Sequence, residues 1–139
     1  MNSSDFQKLS IIRLAEAKAL LRDKHYAGAY YLAGYSVECA LKAYIAAQTR
    51  ATDFPPKPDR VREYYKHDLE SLVRTADLKE KLEAKCKVSE EFSSNWEIVK
   101  DWTEQTRYET NISREKAYGL VRAVSDTRSG VLTWMRSYF

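Results

Sequence analysis

The segment Arg62-Glu-Tyr-Tyr-Lys-His67 sets a guanidinium shortly ahead of an imidazole, and Arg60 offers a second arginine to the same histidine. Such a pair could carry phosphodiester chemistry. His67 would act as the general acid/base that takes a proton from a ribose 2′-hydroxyl, and Arg62 would steady the phosphate. The same residues also read as an ordinary helix start, in which His67 or Asp68 caps the helix and His67 is partly buried against its neighbours. With 11 arginines and two histidines in 139 residues, this spacing arises readily by chance and carries little weight alone.

A second constellation lies in YYLAGYSVECALK, residues 30–42. At 100° per residue, Tyr31, Tyr35, Glu38 and Lys42 fall within about 60° of one another, opposite a side carrying Ala33, Val37, Ala40, Leu41 and Tyr44. Glu38 and Lys42 could form a plain surface ion pair worth a few tenths of a kcal/mol. Set beneath two tyrosines, they equally suit a helix interface or a polar groove, because tyrosine supplies area and keeps a hydrogen-bonding tip. Arg128 is a candidate partner for Glu38: it interrupts the stripe Ala117, Val121, Val124, Val131 and Met135, where an unpaired charge would be expensive. Trp102 and Tyr108 read as pins that fix a link onto the helices. Arg107 either caps a helix, pairs with an acid or binds phosphate with its planar fork.

These side chains need long helices to position them, and the chain predicts such helices. It has only four glycines and three prolines in 139 residues. A first helix starts at Ser4 or Asp5 and runs to about Asp23, with Leu9, Ile12, Glu16, Ala19 and Leu20 along one side and Ile11, Leu14, Ala15 and Leu21 around a broad apolar stripe. A short break leads to a second helix, Tyr26–Gln48, antiparallel to the first. Pro55, Pro56 and Pro58 make 49–65 an extended surface loop. Asp68 caps a third helix with Leu69, Leu72 and Val73 inward. LKEKLEAKCK is helical, and Ser89, Phe92, Trp96 and Val99 start a further helix ending near Trp102. TEQTRYETN reads as an irregular link, and Ser113 caps one long last helix over 113–138, with Gly130 a candidate kink. The expectation is a single all-α domain over 1–139, a bundle of about five helices.

Composition narrows the function. Apolar residues make up 44% and charged residues 31%, which suits a globular core. The net charge of +3 is too mild to announce nucleic-acid binding, although 57–66 and the last helix are locally basic, with Tyr64 and Tyr65 interleaved in the former. Cys39 and Cys86 have no metal-ligand or redox spacing, and no phosphate loop, paired catalytic carboxylates or Ser-His-Asp set is visible. No metal or cofactor is therefore expected. The start MNSSDFQKLS lacks the pattern of a signal peptide, and Glu38 and Lys42 speak against a membrane span in the apolar window 27–47. The expected location is cytoplasmic.

HYAGAYYLAGYSVECALKAYI, then KHDLESLV, then WTEQTRYE together resemble the HEPN domains (higher eukaryotes and prokaryotes nucleotide-binding), in the family's order and over nearly the whole chain. The resemblance implies an up-and-down helical bundle that dimerises through its long helices. Many members are RNases or toxins encoded beside a small nucleotidyltransferase acting as antitoxin; others are non-catalytic and bind nucleotides or RNA. RNase members carry Arg, four to six residues, then His near the start of the last long helix, and two copies form a composite site. Here 102–139 contains no histidine; beyond Arg107 the corresponding positions hold Ile112, Ser113 and Arg114. The expected function is thus a homodimeric binding or interaction module, with a nucleotidyltransferase partner and a nucleotide or RNA ligand as candidates. The alternatives are a metal-independent endoribonuclease using His67 with Arg62, Arg60 or Arg107, and a structural dimer without ligand.

Overall fold

In the structure, a computed structural model that describes residues 1–48 and 66–139, α2 (Tyr26–Gln48) is the element most of the others pack around. It is buried almost all round: Ala29, Ala33, Val37, Ala40, Leu41 and Ile45 lie in the core, and so do Ser36, Glu38, Cys39 and Lys42. A helix buried on every side belongs at the centre of a bundle rather than on its surface. Its many alanines and Gly34 keep it slim, so neighbours approach closely.

α1 (Ser3–Arg22) lies along α2. Its start is fixed by Asn2, whose side chain accepts from the Asp5 amide while Asp5 accepts from the Asn2 amide, a reciprocal capping box. The cap is therefore Asn2, not Ser4 or Asp5. The contact with α2 runs through small residues: Ala17 is buried, and Ser10 donates from its hydroxyl to the Ser36 carbonyl at 2.7 Å. Ile11, expected in the apolar stripe, and Ile12, expected on the side of Leu9, are about half exposed, at 47% and 50%.

α1 ends in a Schellman motif. His25 N–H bonds back to the Leu20 carbonyl at 2.8 Å and Lys24 N–H to Leu21 at 3.1 Å, with Lys24 in the left-handed region at φ 64°. α3 (Leu69–Thr75) ends the same way through Asp77, φ 59°, and its start is capped by Asp68, which accepts from the Glu70 amide and from the Ser71 hydroxyl. α4 (Lys79–Val88) and α5 (Glu90–Lys100) meet at Ser89, whose hydroxyl accepts from the Phe92 amide. A 3-10 turn, Glu104–Tyr108, occupies part of the expected irregular link.

The expected single last helix is two. α6 (Arg114–Ser125), capped by Ser113, stops at Asp126, and α7 (Val131–Arg136) starts after Gly130. The Asp126 carboxylate accepts from the backbone amides of Arg128 and Ser129, both at 2.9 Å, and these bonds hold its pKa below the usual carboxylate value. A Cβ at Gly130 would stand 2.5 Å from the Asp126 carbonyl oxygen, so only glycine fits this break. The apolar stripe stays in phase across the break because Val124 and Val131 are seven residues apart, which is why periodicity alone does not reveal it.

The described residues form an all-α bundle of seven helices and one 3-10 turn, where about five helices were expected. None of these helices is long and apolar enough to cross a membrane. The loop expected over 49–65 lies outside the described residues.

Candidate functional site

The face Tyr31–Tyr35–Glu38–Lys42 is covered from within the chain. Trp102, just after α5, lies flat on α2 over Gly34, where a Cβ would come within 2.2 Å of the indole. No other residue type permits that approach. The Trp102 ring stacks on Tyr31 at 6.0 Å between centroids, and Tyr31 stacks in turn on Tyr35 at 5.9 Å and 16°. Gly34 and the three aromatic rings thus form one slab along α2.

Below that slab sits Glu38, fully buried. Its Oε1 is hydrogen-bonded to His67 Nδ1 and forms an ion pair with Lys42 Nζ at 3.4 Å. Oε2 makes no hydrogen bond among the described residues, nor does the buried Trp102 Nε1. Lys42 is itself nearly buried, so the i,i+4 pair expected on the surface is an internal one. His67 is held on both sides, because its Nε2 lies 3.1 Å from Glu104 Oε2 in the 3-10 turn. A carboxylate oxygen thus stands at each of the two ring nitrogens. The ring stands between the carboxylates, so they do not converge on one point. Correspondingly, no cluster of three or more His, Cys, Asp or Glu able to hold a metal ion occurs among the described residues.

Asp68 belongs to the same corner but acts as the α3 cap, not as a ligand group. Arg107 and Tyr108 form the exposed rim. The Arg107 guanidinium lies over the Tyr108 ring, 4.8 Å from its centroid, and Tyr108 is 67% exposed. Burial raises the Tyr31 pKa; the nearby Arg107 works against that shift, and Glu38 adds to it. The structure brings Tyr31, Tyr35, Glu38, Lys42, His67, Trp102, Arg107 and Tyr108 into one region. Arg60 and Arg62 lie outside the described residues.

Arg128 is elsewhere. It is exposed in the α6–α7 turn, where its backbone amide bonds Asp126, and Glu38 is paired by His67 and Lys42 instead. The expected Glu38–Arg128 pair does not form because the helix assumed to carry Arg128 toward α2 ends before it. Sequence reasoning also missed Glu104, whose role depends on a fold contact with His67 that no local spacing signals.

Beneath the tyrosines, Cys39 is buried beside Tyr35. Burial pushes the Cys39 thiol up to about 11 and, with Cys39 beside it, the Tyr35 hydroxyl up to about 12. For Cys39 the folded value exceeds the ordinary 9.0, so the unfolded chain loses this proton first. Its contribution to stability is intact below about pH 9 and is lost as pH rises through about 11, on the order of 2 kcal/mol in all. Chemical-denaturation curves across that window should show this loss, and Cys39→Ala should reduce it. Identical pH dependence in the two proteins would show that the thiol contributes nothing.

No family model, curated protein or solved structure matches the chain. Its function is therefore argued from the site.

Proposed function

We propose that this chain is a HEPN-like helical module that dimerises and binds a nucleotide or RNA without cleaving it, in the manner of the family's non-catalytic members. The observation that carries this reading is the occupation of both His67 nitrogens by Glu38 and Glu104. A general base needs a nitrogen free to take the substrate's proton. His67 instead fastens α2, the start of α3 and the 3-10 turn together. What remains open to a ligand is the rim: the Arg107 guanidinium, suited to phosphate, and the exposed Tyr108 ring, suited to a base. A nucleotidyltransferase partner remains part of this reading as the resemblance implies it.

One observation favours the metal-independent RNase as a second reading. A buried carboxylate on Nδ1 is the arrangement that orients a catalytic histidine, with Nε2 turned outward. In that case Glu104 would have to swing away from Nε2 when RNA binds.

Binding is tested by anisotropy of labelled single-stranded RNA and by calorimetry with nucleoside monophosphates, using wild type, Arg107→Gln and Tyr108→Ala. Retention of either ligand, weakened at least about fivefold by the rim variants, supports the module. Failure of wild type to bind any of these probes overturns it. Sedimentation of the same samples tests the dimer.

A further inference from the structure

A second ligand site lies away from His67, where the α1–α2 turn meets the start of α6. A cleft of about 390 Å³ is lined by Leu21, Arg22, Lys24, Tyr26, Arg114 and Tyr118. Three of these six residues are cations, two are tyrosines and none is an acid. None of the three cations makes an ion pair or side-chain hydrogen bond among the described residues. The sequence neighbours Asp23 and Glu115 are exposed and do not line it.

Three like charges around one concavity repel one another and raise a local positive potential that an anion would neutralise. Two placements sharpen the point. Arg114 is the first residue of α6, the helix end at which a cation is electrostatically disfavoured. Lys24 occupies the left-handed position of the Schellman turn, where glycine or asparagine is the comfortable choice. Arg114 gains nothing from its own helix dipole, and it lines the same cleft as Arg22 and Lys24, the two cations at the C-terminal end of α1. Tyr118, one helical turn beyond Arg114, is 54% exposed and offers a ring face beside the charges. Cations set around aromatic faces suit a phosphate with an attached base.

We infer that the cleft of Arg22, Lys24, Arg114, Tyr26 and Tyr118 binds a nucleotide, with the cations on the phosphate and a tyrosine under the base. The inference rests on the nucleotide- or RNA-binding reading above and assigns it a site apart from the Arg107 rim. The nucleotide is either free or one unit of a single strand.

The test uses the full chain with a labelled twelve-nucleotide oligouridylate, competed by uridine 5′-monophosphate or inorganic phosphate over a salt series. Arg22→Gln/Arg114→Gln should weaken binding at least about tenfold. If a strand is bound, the double variant should also flatten the slope of log affinity against log salt by about 1.4, or about 0.7 for each cation removed. Tyr118→Ala should weaken binding about fivefold or more. Lys24→Gly separates binding from folding, because it relieves the left-handed strain: the melting temperature should rise by on the order of 3 °C while affinity falls. Displacement of the oligomer by the monophosphate assigns the cleft to a free nucleotide. Displacement only by unlabelled oligomer assigns it to a strand.

Wild-type affinity and salt slope in the double variant overturn the cleft assignment. If Arg107→Gln weakens binding in that case, the proposed function stands without this site. If wild type binds none of the probes, both readings fall.

Discussion

Gly34→Ala is expected to destabilise the protein by about 3 kcal/mol or more, a large effect for one methyl group. The added Cβ would stand 2.2–2.3 Å from three atoms of the Trp102 ring. The backbone of α2 cannot retreat, because α1, α6 and the 3-10 turn pack against it. Trp102 must therefore lift, and with it go the stack on Tyr31 and the entry into the 3-10 turn that carries Glu104 and Arg107. The opposing effect is small: alanine in place of a mid-helix glycine gains about 1 kcal/mol of helix propensity. Urea denaturation measures the sum. A Gly34→Ala protein as stable as wild type would show that the indole does not press on α2.

Glu38→Ala should cost about 3–5 kcal/mol, the range for breaking a buried ion pair from one side. Lys42 and His67 would lose the oxygen on which both converge, and Lys42, nearly buried, would be left without its counter-charge. Glu38→Gln keeps the shape but not the charge, and should retain most of that cost, which separates electrostatics from a simple cavity. If Glu38→Gln melts with wild type, the carboxylate is not a charge the fold depends on. His67→Ala removes one of the two partners of Glu38 and leaves Lys42 in place, so its cost should be smaller than that of Glu38→Ala.

Local order was the most legible part of the sequence. Ser89, Ser113 and Asp68 are caps as their positions suggest, since capping is decided within four residues. The α2 span and the shared face of Tyr31, Tyr35, Glu38 and Lys42 likewise follow from the 100° step. The depth of that face does not. An acid and a lysine four apart look the same on a surface and in an interior until the covering residues are known, and those are His67, 29 positions on, and Trp102. Gly34 in mid-helix was the one local hint, because such a glycine costs stability unless something lies against it. Arg128 was misplaced for the converse reason: the period-seven spacing of Val124 and Val131 hides a break between two helices. The cationic cleft escaped notice because Arg22 and Lys24 are separated from Arg114 by most of the chain.

The site's chemistry turns on whether His67 is a fastener or a base. The most direct measurement incubates purified wild type and His67→Ala with a mixed tRNA and single-stranded RNA pool in EDTA, followed on a denaturing gel. RNA should stay uncut with both proteins, since Glu38 and Glu104 occupy the two ring nitrogens. Cleavage by wild type that disappears in His67→Ala would contradict this and make His67 the catalytic residue of a metal-independent ribonuclease.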